Sequence, residues 1–226
     1  MIKMKNKLIL IALILVLSAS FTIAQEKAKM SFGVLGGVNF QNLNGKAFNG
    51  DKLENDMLLG FHGGINVQIP IAPEFYFQPG LMFSTKGAKN KSAASTSTTK
   101  LNYIEVPLNM VYKASLGKGF FMLGFGPYVS YAIGGNVKIE SGYLSLNQDI
   151  KFKSVVEQGD NLLVPYYKAF DAGANIFVGY EMASGLFLEL DTQFGMLNIN
   201  PEYKEFPESK SSTKNTGFGL SIGYRF

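Results

Sequence analysis

The last ten residues of the chain, 217–226, read GFGLSIGYRF. Side chains of a β-strand point alternately to its two faces, so residues two apart share a face. Here every second residue is large and apolar, and glycine, serine and arginine fill the positions between. The apolar set consists of Phe218, Leu220, Ile222, Tyr224 and Phe226. This alternation predicts a closing β-strand with one apolar and one polar face.

The same alternation recurs in seven upstream segments, each long enough to cross a membrane as a tilted strand. They lie at about residues 31–41, 59–69, 75–86, 104–113, 121–131, 170–181 and 186–195. The 25 Gly, 19 Phe and 11 Tyr also suit β-structure, where rings pack on a pleated surface. The predicted fold class is all-β: an antiparallel, up-and-down transmembrane β-barrel of about eight strands. A count of ten strands is the alternative.

The connections between these segments alternate between short and long. Short turns are expected at 70–74, 115–119 and 183–185, and long polar segments at 44–56, 87–100, 136–167 and 200–213. Outer-membrane barrels have short periplasmic turns and longer extracellular loops. The pattern therefore predicts that both ends of the mature chain lie in the periplasm. Within the third long segment, 143–146 and 150–152 are candidates for a hairpin above the membrane.

The amount of apolar surface indicates which way the apolar face points. Four or five bulky residues on each strand are too many to fit inside so narrow a barrel. Aromatic residues near the strand ends on this face suit an interfacial girdle, namely Tyr112, Tyr131, Tyr180, Tyr224 and Phe226. The apolar face is therefore predicted to contact lipid. The alternative is a secreted, soluble, lipocalin-like binding barrel whose apolar face points inward.

The polar face is then predicted to fill the lumen with an ion network. Its members are His62, Glu105, Lys113, Asp171, Glu181, Glu189, Asp191 and Arg225. Buried charges must be paired, and a narrow lumen forces that pairing. Arg225 is the only arginine, and its planar fork can satisfy more than one carboxylate. Glu189, on the adjoining strand, is the nearest candidate partner for Arg225.

Enzymatic chemistry is not expected. His62 is the only histidine, and no serine or aspartate motif accompanies it in the sequence, which favours hydrogen bonding in the lumen over catalysis. Acidic residues at alternate positions, such as Glu189 and Asp191, could suggest a paired-carboxylate hydrolase but fit an ion network better. The chain has no cysteine. No catalytic residue, cofactor or metal is predicted.

The N-terminus carries the features of a signal peptide. Lys3, Lys5 and Lys7 precede an apolar run at 8–17, and small residues at positions 22 and 24 suit a cleavage site. Residues 1–24 are therefore predicted to be the signal peptide and residues 25–226 the barrel domain. Without these three lysines, 18 basic residues face 17 acidic ones, so nothing in the charge balance points to nucleic acid.

With these segments assigned, the chain resembles the PorT-like outer-membrane β-barrel family from about residue 31 to 226. The most specific match is the block at 101–108, LNYIEVPL; the glycine-rich pieces at 33–37 and 60–64, the segments 78–81 and 86–87, and the closing 223–226 accompany it. The resemblance implies an outer-membrane barrel of a Gram-negative cell, one characterised member being an accessory of a type IX protein secretion system. It implies no catalytic residues.

The expected function is that of a small outer-membrane barrel with a filled lumen and a structural or accessory role. The resemblance to the PorT-like family implies that this role is in protein secretion. A narrow ion-permeable channel is the alternative within the membrane. The expected partners are outer-membrane lipid, the barrel assembly machinery, and extracellular or secretion-system proteins. The closing strand from Phe218 to Phe226 resembles the C-terminal aromatic pattern by which barrels are recognised for assembly.

Overall fold

The computed structural model describes residues 29–226, so the predicted signal peptide lies outside the described residues. Within this range, eight long antiparallel strands form a closed ring. They are β1 (Ser31–Lys46), β2 (Asp56–Ala72), β3 (Phe75–Lys91), β4 (Thr96–Leu116), β5 (Gly119–Ser141), β10 (Phe170–Met182), β11 (Leu186–Gly195) and β13 (Ser212–Arg225). No helix of the described residues is long and apolar enough to cross a membrane.

The ring closes between the last strand and the first. β13 pairs with β1 from Gly33 opposite Arg225 to Lys46 opposite Ser212, and β5 pairs directly with β10. An open strand edge would leave backbone groups unpaired in lipid, and closure removes that edge. The prediction of an eight-stranded antiparallel barrel is confirmed, and the alternative of ten strands is wrong.

The two faces of the strands are divided as the alternation predicts. On β13, Phe218, Leu220 and Ile222 are exposed on the outer surface, while Ser221 and Arg225 are buried. Neighbouring strands extend the outer apolar surface, and the rings of Phe40 and Phe218 stack there at 5.0 Å. The apolar face therefore surrounds the barrel, and the polar face fills its interior.

The two ends of the barrel differ. One end, the turn end, is compact: it contains the turns at 73–74, 117–118 and 183–184, the start of β1 and the end of β13. At the opposite end, the loop end, β4 and β5 extend well beyond the other strands, with total lengths of 21 and 23 residues. At about 3.3 Å per residue and a tilt of about 40°, β5 spans about 58 Å along the barrel axis, roughly twice a ~25 Å lipid-facing band.

The predictions of long loops at 87–100 and 136–167 are therefore partly wrong, because both segments contain strand. Much of 87–100 is strand, because β3 continues to Lys91 and β4 starts at Thr96. In 136–167, β5 continues to Ser141 and turns back into β6 (Leu144–Asp149). This hairpin pairs 136–141 with 144–149, and not 143–146 with 150–152. Strands rich in Thr and Ser can pair with each other outside a membrane. The change to polar sequence therefore indicates where the lipid band ends, and not where each strand ends.

Four two-residue strands organise the remaining loops. They are β7 (Lys151–Phe152), β8 (Val155–Val156), β9 (Tyr166–Tyr167) and β12 (Glu202–Tyr203). β7 pairs with β9, and β8 pairs with β12, both in parallel. The second pair connects the loop after β6 to the loop between β11 and β13, so the two loops fold against each other over the barrel.

Candidate functional site

The lumen is the candidate functional site, because the polar side chains of all eight barrel strands converge there. The eight residues predicted for the ion network lie on this inner face. The structure sorts them into three groups at successive heights: one near the turn end, one in the middle, and one towards the loop end.

The group near the turn end is built around Glu181. Its two carboxylate oxygens have different partners: Lys113 Nζ lies 2.6 Å from Oε1, and Arg225 Nε lies 2.9 Å from Oε2. Arg225 also donates from Nη1 to Asn66 Oδ1 at 2.9 Å, and its guanidinium lies over the ring of Phe187. Two cations thus share one carboxylate, and these contacts link β4, β10 and β13 and, through Asn66, β2.

Arg225 does not pair with Glu189, so that sequence prediction is wrong. Glu189 is opposite Ser221 on β13, four residues before Arg225. Glu181 instead comes from β10, which is not adjacent to β13, and reaches Arg225 across the lumen. Sequence reasoning considered the neighbouring strand, whereas a long guanidinium side chain spans the narrow interior.

The group towards the loop end is built around Lys86, whose side chain is fully buried. Lys86 Nζ lies 2.7 Å from Glu105 Oε2 and 3.8 Å from Asp171 Oδ2. The ammonium also lies 4.3 Å from the centre of the Tyr128 ring. Asp171 Oδ2 accepts further hydrogen bonds from Asn215 Nδ2 at 2.9 Å and from the Tyr128 hydroxyl at 3.3 Å. Lys86 is therefore held by two carboxylates and an aromatic face.

Lys86 is the lumen residue that the predicted ion network left out. Its signal was present in the sequence, because Lys86 continues the polar parity of Gln78 and Ser84 along β3. The polar composition after residue 86 predicts a loop, which puts this lysine at the end of the predicted strand. In the structure β3 continues to Lys91, and Lys86 lies well within the strand.

The middle group surrounds a small central chamber with a cavity volume of about 80 Å³. His62 Nε2 and Ser221 Oγ share a hydrogen bond at 2.6 Å, a partner that the local sequence around His62 does not reveal. Asp191 and His62 meet over Gly219: a Cβ there would lie 2.6 Å from Asp191 Oδ1 and 3.1 Å from His62 Cε1. A larger residue at 219 would require the side chains of Asp191 and His62 to shift. Glu189 also lines the chamber.

Apolar side chains close the lumen on both sides of the chamber. Towards the turn end, Val111, Met122, Phe177 and Phe187 form a buried cluster across the interior. At the loop end a second buried cluster combines strand residues with Ile150 and Ile199 from the loops; its other members are Leu43, Ala88, Leu101, Tyr103 and Ala132. Apolar side chains therefore pack across the lumen on both sides of the chamber, and the loops contribute to the cluster at the loop end.

The loop end carries an extension beyond the barrel, formed by the ends of β3, β4 and β5 and by β6. β6 is the last strand of the sheet, and within the described residues its outer edge has no strand partner. Tyr143 and Leu144 at the hairpin turn and Leu146 on β6 are exposed, Tyr143 completely. This combination leaves both an apolar surface and a free strand edge at the tip.

An exposed ion pair orders the loop that follows. Lys153 Nζ donates to Asp160 Oδ1 at 2.6 Å, and this hydrogen bond lowers the pKa of Asp160 below its ordinary value of 3.8. Asp160 Oδ2 also accepts the backbone N–H of Glu157 at 2.9 Å, which lowers the pKa of this carboxyl further. The loop around Asp160 is thus held by a charged carboxylate.

Among solved structures, small outer-membrane barrels are similar to this chain. The attachment invasion locus protein Ail of Yersinia pestis has 11% identity and a TM-score of 0.40, with 88% of this chain and 99% of Ail covered. Neisserial surface protein A has 15% identity and a TM-score of 0.39, with 86% and 95% covered. The outer membrane protein AlkL has 13% identity and a TM-score of 0.33, with 90% and 94% covered. No curated protein matches the chain.

The sequence also matches a protein family described as "Outer membrane protein beta-barrel domain" over residues 23–200. The match extends through seven of the eight barrel strands and most of the loops. It agrees with the closed ring, the outer apolar surface and the polar interior. The chain therefore belongs to the outer membrane protein β-barrel domain family, and it is a barrel of the outer membrane.

Proposed function

We propose that this protein is a non-conducting outer-membrane scaffold with an accessory role, which contacts partner proteins through its extracellular extension. The observation that carries the proposal is the closed lumen. Two buried apolar clusters lie above and below a chamber of about 80 Å³. The Lys86 ion pairs lie between the chamber and the loop-end cluster, and the Glu181 ion pairs lie on the far side of the turn-end cluster. An eight-stranded barrel has an interior just wide enough for side chains, so no continuous pore remains for an ion.

The extension supplies the contact surface. By the rule of short periplasmic turns and long outer loops, the hairpin of β5 and β6 lies outside the cell. Exposed apolar side chains at its tip and the free edge of β6 favour a partner that adds an extended strand, since backbone pairing and alternate side chains then act together. The partner class is an extracellular or secretion-system protein with an exposed strand.

The resemblance to the PorT-like family is what supports a role in protein secretion. The block LNYIEVPL at 101–108 is part of β4, the strand that leads down from the extension into the lipid band. Its residue Glu105 is one of the two carboxylates that hold Lys86. In this proposal the block stabilises the base of the contact surface. Assembly by the outer-membrane barrel machinery is part of the same proposal.

The proposal includes no enzymatic activity. His62 and Ser221 are hydrogen-bonded to each other inside the lumen, and Ser221 is only 2% exposed. A nucleophile must reach its substrate, and here apolar clusters lie on both sides of the chamber that contains the pair. The pair is better explained as a polar contact between β2 and β13.

Planar-bilayer recording tests the closed lumen. We expect the reconstituted wild type to conduct no ions, because both apolar clusters block the lumen. A variant that combines Phe187→Ala and Met122→Ala with Leu101→Ala and Tyr103→Ala shortens side chains in both clusters and should conduct. Leu144→Asn, on the extension, is the matched control that leaves the lumen intact and should not conduct. Steady single-channel currents from the wild type would contradict the proposal and favour the narrow channel.

Site-specific photo-crosslinking in intact cells tests the contact surface. A photoreactive residue at Leu144 or Leu146 should crosslink to a discrete protein, and the same residue at Lys118, on a periplasmic turn, should not give that product. The substitution Ser145→Pro removes a backbone N–H from β6 and should reduce the crosslink at Leu144. Identical products from the tip and from Lys118 would contradict a specific extracellular contact.

A further inference from the structure

The lumen carries more negative than positive side chains. Its carboxylates are Glu105, Asp171, Glu181, Glu189 and Asp191, and its cations are Lys86, Lys113 and Arg225. Within the described residues, Glu105, Asp171 and Glu181 each form an ion pair, whereas Glu189 and Asp191 form none. A buried carboxylate without a counter-charge is costly, so the excess of two negative charges requires compensation.

The central chamber is where this excess is concentrated. Glu189 and Asp191 line it together with Glu105, and no lysine or arginine between residues 29 and 226 lines it. Glu189 and Asp191 are two residues apart on β11 and therefore share the inner face of that strand. Glu105 approaches from β4, on the other side of the ring.

Several residues that line the chamber also carry buried acceptor oxygens that have no hydrogen-bond donor among the described residues. Four are amide oxygens, on side chains at least nine-tenths buried: Asn39 Oδ1, Gln41 Oε1, Asn109 Oδ1 and Asn175 Oδ1. Glu189 Oε1 is also buried and has no hydrogen-bond donor among the described residues. Buried acceptors are normally satisfied, so a group of them around one cavity indicates a species that accepts their lone pairs.

We infer that this chamber binds a hard cation, with Ca²⁺ matching the excess of two charges. Ca²⁺ takes six to eight oxygen ligands in flexible geometry, including carboxylates, amide oxygens and water. Glu189 and Asp191 supply the charge, and the amide oxygens of Asn175 and Asn109 complete the shell with water. A cavity of about 80 Å³ holds an ion with a few waters, because one water occupies roughly 10–15 Å³ of such volume.

The donor set distinguishes this chamber from a transition-metal centre. Among the residues that the structure describes, no three His, Cys, Asp or Glu side chains are grouped closely enough to hold a metal by themselves, so amide oxygens and water must supply most ligands of an ion here. The only histidine, His62, already shares its Nε2 with Ser221. Oxygen ligands with water favour Ca²⁺ or another hard cation over zinc or copper. The bound ion then neutralises the negative charges of Glu189 and Asp191, which no cationic side chain of the described residues pairs with.

The experiment refolds the full-length protein into detergent in choline chloride, with CaCl₂, MgCl₂ or NaCl added at constant ionic strength. Because the chamber lies between the two apolar clusters, the ion is added before folding, when every ligand is accessible. A ligand that binds only the folded state raises the urea midpoint in proportion to the logarithm of its concentration above the Kd. We expect this rise with CaCl₂, and stoichiometric calcium retained after gel filtration in calcium-free buffer.

The double substitution Glu189→Gln and Asp191→Asn removes the excess charge and should abolish both the calcium response and the retained calcium. Glu140→Gln, which removes an exposed carboxylate on the extension, should leave both unchanged. A rise with MgCl₂ or NaCl that the double variant loses also supports a hard-cation site. Equal midpoints in choline chloride and in all three salts, with no calcium retained by the wild type, would overturn the inference; the retention measurement stands even if the double variant fails to fold.

Discussion

Replacing Arg225 with methionine removes the guanidinium that links three strands near the turn end of the barrel. Removing one partner of a buried ion pair usually costs about 3–5 kcal/mol, because the other charge is left buried. Here Lys113 remains 2.6 Å from the other oxygen of Glu181, which reduces that cost. Asn66 Oδ1 loses its donor, which adds roughly 1 kcal/mol or more. We expect Arg225→Met to lower the free energy of unfolding by about 3 kcal/mol.

A second substitution identifies the partner. Adding Glu181→Gln to Arg225→Met removes the carboxylate that lost its guanidinium, so the double variant should be about 1–2 kcal/mol more stable than the sum of the single losses predicts. Glu189→Gln is the matched control, since it neutralises another buried lumen carboxylate that does not contact Arg225. Its coupling to Arg225→Met should be much weaker than that of Glu181→Gln, because Glu189 forms no ion pair with Arg225.

Urea unfolding in lipid vesicles measures these energies. The chain has no tryptophan, so circular dichroism and the heat-dependent gel shift of folded barrels are the appropriate signals. The reasoning would be refuted by additive losses in the Arg225–Glu181 cycle. It would also be refuted by strong coupling between Arg225 and Glu189, because that result would restore the pairing that the sequence suggested.

Three further outcomes are expected. Leu190→Arg places a charge on the outer surface and should cost about 2–4 kcal/mol of folding into vesicles, while Gln193→Arg, which faces Glu105 in the lumen, should be milder; equal losses would argue against the assigned faces. Deleting Phe226, which is 76% exposed, should cost only about 1–3 kcal/mol of stability but strongly reduce the amount in outer membranes, and normal abundance would argue against an assembly signal. Because the pKa of Asp160 is lowered in the folded loop, its contribution is fully present above the ordinary value of 3.8 and is lost as pH falls through the lowered pKa; NMR titration of the Asp160 carboxyl should follow this order, and an unshifted midpoint would contradict it.

Alternation of residue types predicts the barrel strands and divides each strand into an apolar and a polar face. The amount of apolar surface then predicts which face contacts lipid, and the short and long connections predict the up-and-down order. The reason for the division into faces is geometric: side chains of a strand have a period of two, so an apolar set such as Phe218, Leu220 and Ile222 can only lie on one face. The position of a charged residue inside the lumen followed from the same parity. The same parity places Lys86 on the inner face, but the polar sequence after it predicts a strand end there, so the predicted ion network does not include Lys86.

The partners of these charges, and what happens beyond the lipid band, were decided by the tertiary structure. Arg225 contacts Glu181 because the ring brings β10 across a narrow lumen from β13, a distance that no local pattern encodes. Ile150 and Ile199 close the loop end because two loops distant in sequence pair through β8 and β12. Outside the membrane, polar strands and polar loops have the same composition, since water satisfies both. Within the lipid band the sequence alone determines which face is apolar; across the lumen and above the membrane, only the closed ring determines which side chains meet.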